Sequence, residues 1–339
     1  MRSINIKSKF QNYSVNFTEL TDTISVIKDF TIVVDSNLLR LYSSYFEGLD
    51  VISFDCVEAN KTLEGSKIIL EEFIKRKLKS NAKVAVIGGG ILQDVAGFAC
   101  SVYCRGIKYV LIPTTLLSQC DSCIGGKTSI NFSETKNILG TFYPPETIYL
   151  CVDFLNTLNE SDFLSGLGEI IKFNLLQSKL DSFIQKDVKN EIVEIIFDSL
   201  TYKSNIIEVD EFDKKERKFL NFGHTFGHAL ESTSNYEIPH GTAVLFGILV
   251  ANKVAVKLGY LKKDYYFDII YQYVKHQSVD LKWFDFDSLL EVIRLDKKNT
   301  GSINMILLTE TTPTLTNIEN IDILKEAVNE VYESIRLHY

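Results

Sequence analysis

The chain has 339 residues, of which 45% are apolar and 24% are charged, and its 36 basic and 44 acidic residues give a formal net charge of −8. This apolar content excludes a disordered chain, and the length suits two domains or one large one. A negative net charge argues against a nucleic-acid partner, which a basic face would attract. Small anionic ligands, which need only a few local cations, stay possible.

The N-terminus and the cysteines indicate a reducing compartment. The first residues, MRSINIKSKFQNYSV, lack the apolar core of a signal peptide. The most apolar stretch, residues 243–251, is about half as long as a membrane-spanning helix. We therefore expect a cytoplasmic protein without a membrane partner. Cys120 and Cys123 form a lone C-x-x-C pair, which favours buried structural cysteines over a metal knuckle or a redox pair.

The first half of the chain alternates strand-like and helix-like segments. Strands are predicted at residues 31–35, 51–57, 83–87, 109–113 and 147–152, and helices at residues 63–79 and 91–104. Such alternation predicts a mainly parallel sheet covered by helices. The second half favours helices, at residues 159–176, 190–209, 222–232, 242–258 and 321–337. We predict an α/β domain over residues 1–154 and an all-α domain over residues 155–339.

A glycine-rich turn follows the strand at residues 83–87. Gly88, Gly89 and Gly90 precede a helix, and glycines there let the backbone approach a pyrophosphate at the helix N-terminus. Gln93 stands where the dinucleotide-binding fingerprint has its third glycine, so a plain strand-to-helix turn fits equally well. Asp94 equally fits a role in complementing the helix dipole.

Two further segments offer ligand-binding groups. Thr114 and Thr115 follow the next strand, at the sheet edge where α/β proteins bind ligands, although an N-cap for the following helix is the plainer interpretation. Lys127 lies in a run, Gly125 to Thr128, that resembles the end of a P-loop, but the first glycine of that motif is missing upstream. Lys127 is therefore predicted to bind a small phosphate or an oxygen atom, not ATP. Lys136 and Asn137 add a cation and an amide nearby.

Three of the five histidines fall close together in the sequence. His224 and His228 are four residues apart, so both face one side of a helix and form a candidate metal pair, and His240 follows a turn that can return it to them. Thr225 replaces the glutamate of the metalloprotease motif. Glu169 is the candidate carboxylate ligand, with Lys172 one helical turn away. Each residue alone also fits a plain structural role, as a core histidine or a Glu–Lys pair. Together with Lys203, Arg217 and Asn221, they favour a catalytic site.

Several long segments carry a resemblance to a known family: GGGILQDVAGF, RGIKYVLIPTTLLSQCDSCIGGKTSIN, KNILGTFYPP, GLGEIIKF, and RKFLNFGHTFGHALE followed by HG. In this order, from about residue 35 to residue 298, the chain resembles the 3-dehydroquinate synthases of the sugar-phosphate cyclase superfamily. The resemblance implies an N-terminal NAD-binding α/β domain and a helical C-terminal metal domain. It also implies a fold related to iron-type alcohol dehydrogenases and glycerol dehydrogenases.

The resemblance implies a role for each matching residue. It places the metal on Glu169, His224 and His240, and so moves His228 from the metal to the substrate. It implies NAD contacts by Asp35, Asn37, Glu58, Lys61, Gly89, Gly90, Asp94, Thr114, Thr115, Lys136, Thr157 and Leu158. It implies catalytic or substrate contacts by Asp121, Lys127, Asn137, Lys172, Lys203, Arg217, Asn221, His228, and Lys297 or Lys298. Arg105 matches an arginine that reaches the neighbouring subunit's site, which implies a homodimer.

The implied reaction belongs to the shikimate pathway. It converts 3-deoxy-D-arabino-heptulosonate 7-phosphate, a small phosphorylated sugar acid, to 3-dehydroquinate with loss of phosphate, using NAD and a divalent metal, zinc first and cobalt second. Lys127, Asn137 and His228 would hold the phosphate, and the Arg217 fork suits the carboxylate. The alternatives are a cyclase for another ketose phosphate, an NAD- and metal-dependent polyol dehydrogenase, and an inactive paralogue kept as a binding partner.

The sequence departs from the family pattern at a few positions. Gln93 replaces a small residue, Cys123 replaces a serine and Asp213 replaces a glutamate. Thr242 stands where the family's HGEAV motif has a glutamate, two residues after His240. A threonine cannot supply the charge that a glutamate would place beside His240, and such partners tune a metal.

Overall fold

The computed structural model describes residues 2–133, 135–275, 281–295 and 302–336. Lys297 and Lys298, two of the predicted substrate residues, lie outside these ranges. The chain divides into two compact units. The first contains the described residues up to Leu158 together with Ile192–Phe212, and the second contains Asn159–Glu191 and the described residues from Asp213 onward.

The strands occur in the first unit and in one hairpin of the second. They are β1 (Ser3–Ile6), β2 (Tyr13–Phe17), β3 (Thr31–Asp35), β4 (Val51–Phe54), β5 (Val84–Gly88), β6 (Tyr109–Pro113), β7 (Lys127–Phe132), β8 (Thr135–Phe142), β9 (Thr147–Leu150), β10 (Ile303–Leu308) and β11 (Pro313–Ile318).

The helices occur in both units. They are α1 (Leu20–Ile27), α2 (Ser36–Leu41), α3 (Leu63–Lys75), α4 (Gly90–Val102), α5 (Glu160–Leu176), α6 (Leu180–Phe183), α7 (Ile192–Val209), α8 (His224–Thr233), α9 (His240–Lys257), α10 (Phe267–Val274), α11 (Phe286–Leu295) and α12 (Ile321–Arg336). No described helix is both long enough and apolar enough to cross a membrane.

The main sheet of the first unit has the strand order β1-β2-β9-β6-β5-β3-β4. Its pairs are parallel except β1 with β2. The β-branched residues of β3, β5 and β6 are buried on both faces, as parallel strands under helices require. In the sheet, β4 lies on one side of β3 and β5 lies on the other. The connection that follows β3, to β4, and the connection that follows β5, to β6, therefore run in opposite directions. Such a switch point is where α/β sheets bind ligands.

Helix α7 packs within the first unit, although the sequence analysis assigns it to the second domain. Its Ile196, Leu200 and Ile207 side chains are buried, and the Phe197 ring lies 6.0 Å from that of Phe17 at the end of β2. An apolar helical stripe shows that a helix is buried, but it does not show against which unit. The division after Leu158 also falls four residues beyond the predicted boundary.

The second unit is built around α9. Every residue from Gly241 to Asn252 is buried, which explains why apolar residues occupy all sides of this part of α9. Helices α5, α8, α10 and α12 and strand β10 pack around it. The predicted fold class, a mainly parallel α/β domain followed by a helical one, is confirmed.

Several element predictions needed correction. The helix predicted at residues 63–79 ends at Lys75, because Lys77 has a left-handed backbone with φ of 55°. The strand predicted at residues 51–57 ends at Phe54, before a short 3-10 turn. The short strands β1 and β2 and the hairpins β7–β8 and β10–β11 were not predicted.

Candidate active site

The predicted NAD residues of the first unit lie along one edge of its sheet. Gly88 at the end of β5 pairs with Pro113 at the end of β6, and β3, ending at Asp35, runs parallel beside β5. The turn at Gly89 and Gly90 and the threonines at 114–115 therefore follow neighbouring strands at their carboxyl ends. This edge includes the switch point between β3 and β5.

The turn between β5 and α4 needs glycine for packing as well as for any ligand. A Cβ atom at Gly89 would lie 2.9 Å from Thr115 Cγ2, whereas one at Gly90 would have only Ser122 Oγ, at 3.9 Å, within 4 Å. Thr115 Oγ1 accepts a hydrogen bond from Ser118 N at 3.2 Å. Thr115 thus makes the side-chain contact typical of an N-cap, shortly before the short π-helix Ser118–Ser122.

Asp94 is the centre of a hydrogen-bond network, not a free charge at the start of a helix. Lys61 Nζ lies 2.6 Å from Asp94 Oδ2 and donates to Asn137 Oδ1 at 2.7 Å. Ser129 donates to Asp94 through its backbone N and its hydroxyl, and its hydroxyl also lies 3.0 Å from Asn137 Oδ1. Burial raises the pKa of Asp94, against the opposing effects of Lys61 and Ser129. The network joins a predicted NAD residue, Asp94, to a predicted substrate residue, Asn137.

Ser129 was not among the predicted site residues. It lies on β7, in the KTSIN segment that begins at Lys127, and only the pairing of β7 with β8 brings it to Asn137. Glu58 joins the same face by accepting from Asn131 Nδ2 at 2.9 Å and pairing with Lys136 Nζ at 3.1 Å.

A second group in the first unit pairs Asp121 with Lys203. Lys203 Nζ of α7 lies 2.7 Å from Asp121 Oδ1 and donates to the Asp121 backbone oxygen at 2.7 Å. Lys203 is buried, whereas Lys127 is exposed at the start of β7. Cys123 nearby is buried, and burial raises its pKa to about 12, which supports a structural thiol over a reactive one.

The remaining predicted residues of the first unit lie near its surface or its last turn. Asn37 N donates to Asp35 Oδ1 at 2.8 Å, capping α2. Thr157, followed by Leu158, has its hydroxyl 2.9 Å from that of Tyr42. Arg105 is exposed and has a left-handed backbone with φ of 64°.

In the second unit, three side chains from three helices converge. Glu169 on α5, His224 at the start of α8 and His240 at the start of α9 each offer a ligand atom, and these atoms all lie within 4.8 Å of one another. His224 Nε2 and His240 Nε2 lie 3.6 Å and 3.4 Å from Glu169 Oε1. The neighbouring His228 is exposed, with its ring centroid 5.0 Å from that of His224 and 5.8 Å from that of His240.

The carboxylate of Glu169 is fully buried in this cluster. Lys172 Nζ forms an ion pair with its Oε2, and the Lys172 side chain is only 2% exposed. The contact is close, but neither carboxylate oxygen has a hydrogen bond of good geometry from the described residues. Burial would raise the pKa of Glu169, but Lys172 and His240 outweigh it and hold the pKa below its ordinary value. Glu169 is therefore an anion whose carboxylate oxygens can bind a further cation.

Both clustered histidines have an acceptor at their outer nitrogen. His224 Nδ1 lies 3.2 Å from the backbone oxygen of Phe222, and His240 Nδ1 lies 3.1 Å from Glu231 Oε2. Burial lowers the pKa of His224 well below its ordinary value, assisted by Lys172. Burial also opposes the charged form of His240, but Glu231 and Glu169 outweigh it and raise the pKa to about 10.

Glu231 was missed by the sequence analysis. It lies seven residues after His224 and three after His228, a spacing that places it on the same face of α8. Arg217 and Asn221 belong to a 3-10 helix, Glu216–Asn221, that precedes α8. Arg217 is buried. Together with Lys172 and His228, Arg217 and Asn221 are the predicted catalytic or substrate residues of the second unit that the structure describes.

The cluster depends on a close crossing of α5 and α9. A Cβ atom at Gly168 would lie 2.3 Å from the Gly241 backbone oxygen, and one at Gly241 would lie 1.7 Å from the Ser165 backbone oxygen. Gly168 precedes Glu169, and Gly241 follows His240. The two glycines thus let the helices approach until the carboxylate and the imidazole meet.

We expect Gly168→Ala to lower the free energy of unfolding by about 1–3 kcal/mol, because the added methyl group meets backbone that cannot rotate away. Without that clash, alanine would stabilise a helix interior by about 1 kcal/mol relative to glycine, so the sign of the effect tests the crossing. Urea unfolding followed by the fluorescence of Trp283, which lies in the second unit, measures the change. Ser161→Ala, at an exposed position of α5, is the control. A stabilised Gly168→Ala protein would contradict the prediction.

Comparison with solved structures identifies the fold. The chain aligns with 2-deoxy-scyllo-inosose synthase in complex with carbaglucose-6-phosphate, NAD+ and Co2+ with a TM-score of 0.83 and 23% identity, over 97% of this chain and 99% of the other. It aligns with 2-epi-5-epi-valiolone synthase from Streptomyces hygroscopicus subsp. jinggangensis, with NAD+ and Zn2+ bound, with a TM-score of 0.79 and 24% identity, over 97% and 99% of the two chains. The chain has the fold of the sugar-phosphate cyclases.

Comparison of sequences then identifies the family. Residues 51–165 match the 3-dehydroquinate synthase N-terminal domain, and residues 166–299 match the 3-dehydroquinate synthase C-terminal domain. The 3-dehydroquinate synthase of Clostridium tetani is 34% identical over 97% of this chain and 95% of its own length. That of Helicobacter pylori is 35% identical over 91% and 92%. The chain belongs to the 3-dehydroquinate synthase family, and the resemblance inferred from its motifs is confirmed.

Proposed function

We propose that the protein is a 3-dehydroquinate synthase that converts 3-deoxy-D-arabino-heptulosonate 7-phosphate to 3-dehydroquinate and phosphate, as a carbon–oxygen lyase. The observation that carries this proposal is the family match along the chain, and the cluster of Glu169, His224 and His240 supports it. Relatives over most of the chain bear this same name, which favours it over a cyclase for another ketose phosphate or a polyol dehydrogenase.

The donor set of the second unit fits a catalytic divalent metal. Two imidazoles and one carboxylate are a ligand set of catalytic zinc sites, which leave a further position open. Two ligand atoms about 2.1 Å from a metal at tetrahedral angles lie about 3.4 Å apart. The separations of Glu169 Oε1 from the two imidazole nitrogens, 3.4 Å and 3.6 Å, agree with this value. Zinc, with cobalt as the second choice, is the metal we propose for this site.

The residues of the chain supply binding and charge around these groups. When bound, NAD+ reversibly accepts hydride and the divalent metal acts as a Lewis acid on a hydroxyl oxygen. Glu169, His224 and His240 would hold the metal, and Lys172 balances the buried carboxylate. Asp94, held by Lys61 and Ser129, would face the cofactor at the sheet edge. We keep the predicted substrate contacts, with Lys127, Asn137 and His228 on the phosphate and Arg217 on the carboxylate. The homodimer predicted from Arg105 and the cytoplasmic location also stay predictions.

The proposal predicts release of inorganic phosphate. The purified protein supplied with NAD+ and zinc should release phosphate from 3-deoxy-D-arabino-heptulosonate 7-phosphate, and chelation of the metal should stop the release. Phosphate assays measure the rate, with sedoheptulose 7-phosphate as the comparison substrate. Turnover of sedoheptulose 7-phosphate alone would replace the proposal with another cyclase. Net formation of NADH with a polyol would replace it with a dehydrogenase.

A further inference from the structure

Glu231 links the metal cluster to a second carboxylate. It lies on α8, its side chain is 15% exposed, and its Oε2 lies 3.1 Å from His240 Nδ1. The other nitrogen of the same ring, Nε2, lies 3.4 Å from Glu169 Oε1. The imidazole of His240 is thus held between two carboxylates that come from two different helices.

The chemistry of imidazole makes this arrangement directional. A neutral ring carries one N–H group and one lone pair, so a hydrogen bond from Nδ1–H to Glu231 leaves the lone pair on Nε2. Nε2 is the nitrogen that faces Glu169 and the other ligand atoms. His224 follows the same design, because its Nδ1 lies 3.2 Å from the Phe222 backbone oxygen. Each histidine therefore has an outer acceptor that selects Nε2 as the metal ligand.

Glu231 also supplies a charge beside His240 that the residue at position 242 cannot supply. Thr242 occupies the position of the glutamate expected two residues after His240, and it is buried in α9 without a charge. Glu231 reaches His240 from α8. We infer that Glu231 is the positioning residue of the metal site, orienting His240 and strengthening its bond to the metal through the hydrogen bond to Nδ1. This inference rests on the proposed function, because it concerns the same metal site.

A different role for Glu231 is also testable. His228, Glu231 and His240 offer ligand atoms within 4.8 Å of one another, which would suit a second cation. In that arrangement Nδ1 of His240 would bind a metal and could not donate to Glu231. The two roles predict different metal stoichiometries, one per chain for a positioning residue and two per chain for a ligand.

The experiment measures zinc affinity and stoichiometry of the full-length protein by competition with a chromophoric chelator. We expect Glu231→Ala to weaken zinc binding by about tenfold to a hundredfold. Glu231→Gln should weaken it less, because the amide oxygen still accepts from Nδ1–H. Glu237→Gln removes the same charge from an exposed side chain three residues before His240, and should leave the affinity unchanged.

A second measurement does not depend on whether the Glu231→Ala protein folds. In zinc-loaded protein, the Nδ1–H proton of His240 should resonate far downfield, and Glu231→Gln should move it upfield. An affinity of Glu231→Ala within twofold of the wild type would overturn the inference, and so would a second bound zinc that Glu231→Gln removes. A wild-type protein that binds zinc nowhere would overturn the proposed function itself, so the two failures are distinguishable.

Discussion

Replacing Glu169 with glutamine should abolish divalent-metal binding and lower the free energy of unfolding of the metal-free protein by about 3–5 kcal/mol. The metal loses its carboxylate ligand, and the stability falls because Lys172 is left buried, at 2% exposure, without its anion. The amide of glutamine has nearly the shape of the carboxylate, so lost packing does not explain the effect. Metal content after dialysis and urea unfolding after chelation measure the two changes.

Two further variants isolate the charge effect. Glu160→Gln removes the same charge from an exposed position in the first turn of α5 and should lower stability by at most about 1 kcal/mol, through the helix dipole. Adding Lys172→Met to Glu169→Gln should recover most of the lost stability, because no buried charge then lacks a partner. Trp283, the only tryptophan, reports on the second unit in all of these proteins. Equal destabilisation in the double variant would show that the ion pair is not the cause.

The fold was predictable wherever the sequence pattern is long and apolar. The runs at β3, β5 and β6 are buried on every residue or nearly so, and α9, with its apolar run at residues 243–251, is the centre of its unit. The short strand β1 alternates exposed and buried residues over only four positions, a weak signal. The placement of α7 in the first unit depends on tertiary contacts such as that of Phe197 with Phe17, which no local pattern encodes.

The candidate site was predictable as a set of residues but not as a geometry. Helical spacing pairs His224 with His228, whereas the side chains that meet at Glu169 are His224 and His240. What brings His240 there is the crossing of α5 and α9 at Gly168 and Gly241, a contact between residues far apart in the chain. The sequence analysis missed Glu231 for the same reason, because its partner atom, His240 Nδ1, belongs to another helix.

Metal binding by His224 with His240 and metal binding by His224 with His228 predict opposite results for one pair of variants. If His224 and His240 hold the metal with Glu169, His240→Ala should abolish metal binding, because two remaining ligands form an incomplete catalytic site. His228→Ala should retain the metal and raise KM for the phosphorylated substrate, because the exposed His228 is predicted to contact the phosphate. Metal content and the kinetics of phosphate release check both proteins.

Each variant serves as the control for the other, since both remove one imidazole from the same cluster of three rings. The reverse outcome, with metal retained in His240→Ala and lost in His228→Ala, would restore the ligand pair predicted from helical spacing alone. It would also separate Glu231 from the metal site, because its hydrogen bond to His240 would then no longer end on a ligand. The position of one metal ion therefore decides whether local spacing or the meeting of three helices defines this centre.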